Sequence, residues 1–221
     1  FAVAYVYQRG RLSSDDGPPA SWSEVTPNLG WLLLGSVFAA SLLNAGPIAA
    51  SLLAGDDQDV LVTQFGQGVL LARIPLFLFQ AVQAALLPRL SQLAAQGELD
   101  EFRNGLKRLM MVVLVVGVVG TAGAFLIGPW ALEVVFDADL TGRTLALLAF
   151  SSACYMIALA TAQAVIALKG HALVSIGWGI GVIAFIIGTW QGSDDVFRRV
   201  EIGLLASSIA AMVTFGLTLR Y

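Results

Sequence analysis

Six runs of apolar residues, each close to or above twenty long, follow one another between residues 30 and 219. They cover about 30–54, 60–90, 107–131, 143–168, 172–190 and 200–219. An α-helix needs about that length to cross ~30 Å of hydrocarbon at ~1.5 Å per residue. The bilayer leaves few alternatives, because every backbone N–H and C=O inside it must be paired within the chain. A membrane β-barrel would alternate apolar and polar residues over about ten positions, and these runs do not alternate. Composition agrees: 57% of the 221 residues are hydrophobic and 12% are charged, against about 25% charged in a soluble domain. The separators are short and polar: GDDQD at 55–59, SQLAAQGELDEFRNG at 91–105, FDADLTG at 136–142, KGH at 169–171 and QGSDD at 191–195. The expected fold is all-α, a polytopic membrane protein with six transmembrane helices running up and down.

The chain opens on FAVAYVYQRG, which reads as the tail of a helix begun upstream. RLSSDDGPPASWSEVTPN follows, the one long polar stretch, with Gly17, Pro18 and Pro19 to break regular structure. The expected organisation is the end of a preceding transmembrane helix at 1–10, a linker at 11–29 and a six-helix lobe at 30–221, together the C-terminal portion of a longer protein. Lysine and arginine set the orientation. With the linker in the cytoplasm, Arg9, Arg11, Arg89, Arg103, Lys107, Arg108, Lys169 and Arg220 fall inside, and Arg143, Arg198 and Arg199 outside. Both ends of the chain are then cytoplasmic, and the expected location is the inner membrane of the cell. No secretory signal is visible, and no basic run points to nucleic acid. A single cysteine, Cys154, and a single histidine, His171, cannot build a zinc site by themselves. No GxxxxGK[ST], HExxH or GxSxG motif occurs, and no outer loop is long enough to hold a catalytic site. Transport without a cofactor is expected, rather than enzymatic chemistry.

Arg73 stands out within VLLARIPLFLFQ at 69–80. An arginine at the centre of a membrane helix costs roughly 2.5–3.5 kcal/mol on insertion scales. Pro75 removes a backbone hydrogen bond and crowds the carbonyl of Leu71, which predicts a bend. On a continuous helix Thr63, Gly66, Arg73, Gln80 and Gln83 would lie within about half the circumference, with Phe77 and Phe79 astride them. The first span carries Asn44 just before Gly46 and Pro47, and the fourth carries Ser151, Ser152, Tyr155, Thr161 and Gln163. Polar groups at this depth face protein or a water-filled cavity, so a hydrated cavity is expected beside at least the second span. Interhelical hydrogen bonds, at ~0.6 kcal/mol each, account equally for Asn44, the serines and Thr161. Gln80 and Gln83 fit packing or cavity lining alike. No carboxylate lies inside any span to pair with Arg73, since Glu133 and Glu201 sit near the outer ends. Its partner is a carbonyl, water, an acid elsewhere in the longer protein, or an anionic ligand, and the guanidinium fork suits phosphate. The expected substrate-binding residues are Arg73, Gln80, Gln83 and Asn44. Four further expectations are structural. Cys154 is a small buried hydrophobe. Trp31, Trp130, Trp178 and Trp190 anchor span ends at the interface. Gly117, Gly120, Gly123 and Gly128 let helices approach. Residues 97–109 form a short amphipathic segment, with Leu99, Phe102, Leu106 and Leu109 on one face.

LLNAGPIAASLLAG, followed by FGQGVLLARIPLFLFQAVQAALLPRLSQLAAQGELDEFRNGLKRL, resembles the second half of polysaccharide-export flippases. These are the O-antigen and capsule repeat-unit members of the multidrug/oligosaccharidyl-lipid/polysaccharide transporter superfamily. Specific residues carry the resemblance at about 42–109, and elsewhere only the length and order of the spans match. It implies a twelve-helix, two-lobe transporter of which this chain is the C-terminal lobe, with a missing N-terminal lobe as its partner. It implies translocation of an undecaprenyl-diphosphate-linked oligosaccharide by alternating access, with membrane lipids around the protein and Arg73 among the cavity arginines that hold the diphosphate. Relatives often carry an acid shortly after the asparagine of the seventh span, whereas Asn44 is followed by Ala45, Gly46 and Pro47. An ion-coupling carboxylate is therefore not expected in this lobe. A drug or amphiphile antiporter, a membrane-embedded polysaccharide polymerase and a scaffold derived from a transporter are the alternatives. The antiporter would need a membrane-embedded acid and the polymerase a substantial outer loop.

Overall fold

A computed structural model describes residues 22–55, 57–191 and 193–219, and every regular element among them is helical. The expected helix tail at 1–10 and most of the linker lie outside the described residues. Helix α1 spans Trp22–Leu53 and so begins before residue 30, inside the stretch expected to be linker; Pro27 and Pro47 lie within it without ending it. There follow α2 (Asp59–Ala72), α3 (Ile74–Gln96), α4 (Leu99–Leu126), the short α5 (Gly128–Phe136), α6 (Gly142–Ala167), α7 (His171–Gln191) and α8 (Val196–Thr218). Helices α1, α4, α6, α7 and α8 are each long and apolar enough to cross a bilayer. Helix α2 with the start of α3 makes a sixth span if that bent pair is counted as one. The chain is that of a multi-pass membrane protein, with Leu52, Leu126 and Trp190 each over 70% exposed on its outer surface.

Local chemistry sets the helix ends. Thr141 caps α6 through its side-chain oxygen, which accepts from the Thr144 N–H at 3.3 Å, and Asp195 caps α8 by accepting from the Arg198 N–H at 2.8 Å. Gly97 closes α3 in the left-handed region, at φ 75°. Pro129 stands at the start of α5, so the third span stops at Leu126 rather than continuing smoothly to 131. The segment at 97–109 is not a separate interfacial helix. It is the opening of α4, continuous with the third span, because Phe102 and Leu109 bury against the core as its first turns form.

Helix α6 is the hub: it packs most extensively against α4 and α8 and also touches α2, α3, α5 and α7. Its buried face is mostly small, with Ala149, Ala153, Ala158, Ala160, Ala162 and Ala164 all buried, so its neighbours come close. Gly117 of α4 meets Ala153 so tightly that a Cβ there would stand 2.7 Å from the alanine methyl. Gly120 faces the Pro75 ring at 3.2 Å on the same measure, and Gly128 faces Leu145 at 2.9 Å, whereas Gly123 faces open space. The expected tryptophan anchors divide. Trp31, Trp130 and Trp190 are exposed, but Trp178 is only 2% exposed. It packs between Tyr155 and Phe215, each ring centroid 5.2 Å away. Gly177, which has no side chain to keep the Phe215 ring off, opens that slot.

Candidate functional site

Pro75 offers no N–H, so the Leu71 carbonyl has no donor four residues on. The Arg73 N–H turns back to the Leu70 carbonyl at 3.2 Å, and the helix resumes with the Phe77 N–H donating to the Arg73 carbonyl at 3.1 Å. The axis bends by 42°. The bend is the one Pro75 predicts, but the break falls on Arg73 itself. This changes the geometry read from a continuous helix. Thr63 and Gly66 belong to α2, Gln80 and Gln83 to α3, and the bend between them prevents one unbroken polar stripe.

Arg73 is half-buried and lines a cavity of about 30 Å³ between α1, the α2–α3 break, α6 and α8. The polar part of the lining is Arg73, Ser151, Ser152, Tyr155, Ser207 and Ser208, and the rest is aliphatic. Ser151 and Ser208 share a hydrogen bond across α6 and α8 at 3.2 Å. The Tyr155 hydroxyl donates to the Ala39 carbonyl of α1 at 3.0 Å, and Ser207 donates to Leu204 at 2.8 Å. Among the described residues the Ser152 hydroxyl and the Arg73 guanidinium have no hydrogen-bond partner. The ion pair found among those residues joins Arg103 to Asp100 at 3.7 Å, on the surface of α4. The lining contains no carboxylate.

The donors left free are the five N–H groups of the guanidinium, the Ser152 hydroxyl and one hydroxyl of the Ser151–Ser208 pair, since the Tyr155 and Ser207 protons are spent on backbone carbonyls. Such a set suits water or an oxyanion and does not suit a cation. Volume limits what enters. A cavity needs roughly 10–15 Å³ to admit one water, so 30 Å³ takes one or two waters and not a diphosphate. A larger anion would reach Arg73 only where the cavity opens, or after the bordering helices part. Helix dipoles do not stabilise the charge on Arg73 appreciably. It stands at the negative end of α2 and the positive end of α3 together, and two opposed terms of ~0.3–1 kcal/mol nearly cancel.

Arg73 is the one member of the expected site that lines this cavity. Gln80 is exposed on α3, and Gln83 is half-buried with an Oε1 that finds no partner. Asn44 is exposed on α1 and donates through Nδ2 to the Ala40 carbonyl of its own helix at 2.8 Å. Leu42 and Leu43 supply the α1 wall instead. Of the polar residues read from the fourth span, Ser151, Ser152 and Tyr155 reach the cavity, while Thr161 bonds to Ile157 and Ala158 of its own helix at 2.7 and 3.0 Å. Sequence reasoning missed Ser207 and Ser208. The signal was available: AFSSACY on α6 and LLASSIAAM on α8 each place a serine pair near the middle of an apolar span. Among the described residues no three His, Cys, Asp or Glu side chains gather as a metal site. No protein-family model, no curated protein and no solved structure matches this chain.

Proposed function

We propose that this chain is one lobe of a membrane translocator for an anionic amphiphile, and that the substrate is a diphosphate-linked oligosaccharide on a polyprenyl carrier. One observation carries the reading. A permanently charged guanidinium with no hydrogen-bond partner among the described residues sits at a break within a membrane-spanning pair of helices, beside a wet-sized cavity also reached by the unpaired Ser152 hydroxyl, with no acid against it. An unpaired arginine at that depth costs several kcal/mol unless water or an anion meets it. A diphosphate offers acceptors that a planar fork binds two at a time. A helix interrupted in mid-membrane is also how transporters present helix termini to a substrate. Here the close of α2 and the start of α3 both border the cavity, so their opposed dipoles offset and the guanidinium supplies the attraction.

In this reading the second, upstream lobe completes a central path, and alternate rocking of the lobes opens the Arg73 cavity to each leaflet in turn. The resemblance at residues 42–109 supplies the glycan as the headgroup, and the unpaired cation supplies the demand for phosphate.

The test is transbilayer movement of a fluorescent diphosphate-linked oligosaccharide in proteoliposomes of the full-length protein. Arg73→Ala should lower the rate at least about tenfold, the loss of one charge-assisted phosphate contact. Arg73→Lys should keep part of it, because charge survives and the fork does not. Transport unaltered by Arg73→Ala would remove the anion-binding role.

A further inference from the structure

The two antiparallel helices α3 and α4 leave a second opening, far from Arg73. It is a groove of about 380 Å³ with Arg89 on one wall and Asn104 and Arg108 on the other. Gly105 forms part of its floor, where a Cβ would come within 3.1 Å of the Leu90 methyl. That contact sets the two helices in register, with Arg89, next to Leu90, at the level of α4's third turn. Arg108 is the last charge on α4, and no charged residue follows until Glu133 on α5. Arg89 is the first charge on α3 after the break at Arg73. The two arginines therefore lie where the apolar part of each helix ends, the depth of lipid phosphates. Both are exposed, and among the described residues neither makes an ion pair or a hydrogen bond. Leu109 and Val112 line the groove toward the apolar side, so it offers cations at headgroup level and an aliphatic surface below.

We infer that this groove binds the phosphate of an anionic phospholipid, with an acyl chain laid along the exposed Val112. The volume is ample for a phosphate group, given that one water takes ~30 Å³ in the liquid. Basic pockets between transmembrane helices are sites of this kind. Glu101 also lines the groove. It opposes the phosphate, so its removal strengthens the site.

Native mass spectrometry of the full chain, released from micelles doped with equal phosphatidylglycerol and phosphatidylcholine of the same acyl chains, tests this. Each arginine near the headgroup layer contributes about fivefold, so phosphatidylglycerol should be retained roughly 25-fold better. Arg89→Gln with Arg108→Gln should bring the two lipids to parity, the Lys pair should keep most of the preference, and Glu101→Gln should raise it about fivefold. Gly105→Leu should fill the groove and expel the lipid with both arginines in place. Arg103→Gln with Lys107→Gln, on the other flank of α4, should change little. Equal retention by the wild type, or a preference that survives loss of both arginines, would overturn the inference. So would an equal effect from the Arg103 and Lys107 pair, which would mean a diffuse basic belt. Displacement of the lipid by ~10 mM inorganic phosphate would overturn it in favour of a soluble-anion site. Should Gly105→Leu fail to fold, as its helical circular dichroism would show, the arginine arms still decide.

Discussion

Around Arg73 the hydroxyls of Ser151, Tyr155, Ser207 and Ser208 are held by backbone carbonyls or by each other while Ser152 is not, and this decides what each residue contributes. The Tyr155 ring is fixed against Trp178, and its hydroxyl ties α6 to the Ala39 carbonyl of α1 at 3.0 Å. Tyr155→Phe removes this second donor from a carbonyl that keeps its bond within α1, and so removes the tie between the helices. The expected cost is about 1 kcal/mol, read as a lowered unfolding midpoint in mild detergent with Arg73 untouched. The Ser151–Ser208 bond is a different case. Two hydroxyls in an apolar bundle satisfy each other, and interhelical bonds of this type average only ~0.6 kcal/mol. A double-mutant cycle with Ser151→Ala and Ser208→Ala should therefore return a coupling of that order, and one above ~2 kcal/mol would mean a larger polar network than the pair. Asn44 spends its donor on the Ala40 carbonyl of its own turn. Asn44→Ala should leave transport within about twofold of wild type, in contrast to Arg73→Ala, because no contact across the cavity is lost.

At the scale of an element, the bent pair α2–α3 depends on its neighbour α4. The Pro75 ring projects toward α4, and Gly120 is the position that receives it: a Cβ there would come within 3.2 Å of the ring, which leaves no room for branching. Gly123, one turn on, faces open space. Gly120→Val should destabilise by roughly 1–3 kcal/mol through overpacking, whereas Gly123→Ala should stabilise slightly, by about 0.5–1 kcal/mol of helix propensity. Thermal unfolding of the two variants in one detergent separates packing from propensity, and equal shifts would mean that Gly120 does not receive the bend. This pair also shows what the sequence disclosed and what it did not. The apolar length of each span and the proline at 75 are local properties, so the helices and the bend were legible. The placement of Trp178 was not, because a tryptophan at a span end and one in the core read alike until the Phe215 slot opened by Gly177 is known. Arg73 was legible as a costly charge. Its companions Ser207 and Ser208 were visible as a serine pair in mid-span, but that they meet Arg73 depends on which face α8 turns to α6, which is a tertiary fact. The stripe through Gln80 is interrupted because the helix bends by 42° at Arg73, two residues before the proline.

For the whole molecule, the open matter is which end faces which compartment, and charge gives a definite expectation. The end built from the α3–α4 turn, the α6–α7 turn and the close of α8 carries Arg89, Arg103, Lys107, Arg108 and Lys169. The opposite end, where Phe65 meets Phe197, carries Arg143, Arg198 and Arg199 among Asp57, Asp59, Glu133, Asp137, Asp139, Asp194 and Asp195. Lysine and arginine are retained on the cytoplasmic side while acids count for little, so the first end should be cytoplasmic and the acidic end external. The α3–α4 lipid groove then opens to the inner leaflet, and the Arg73 break lies between the two surfaces. Cys154 is the one cysteine and is buried, so introduced cysteines can be read against a quiet background. Asp139→Cys should react with a membrane-impermeant maleimide on intact cells, and Lys169→Cys only after the membrane is opened. The reverse pattern would invert the bundle. The headgroup site would then sit in the outer leaflet, and a diphosphate carried outward would leave past the basic end and not the acidic one. On the proposed reading the aspartates at that face would repel an anion delivered there, and an inverted bundle would lose that contribution.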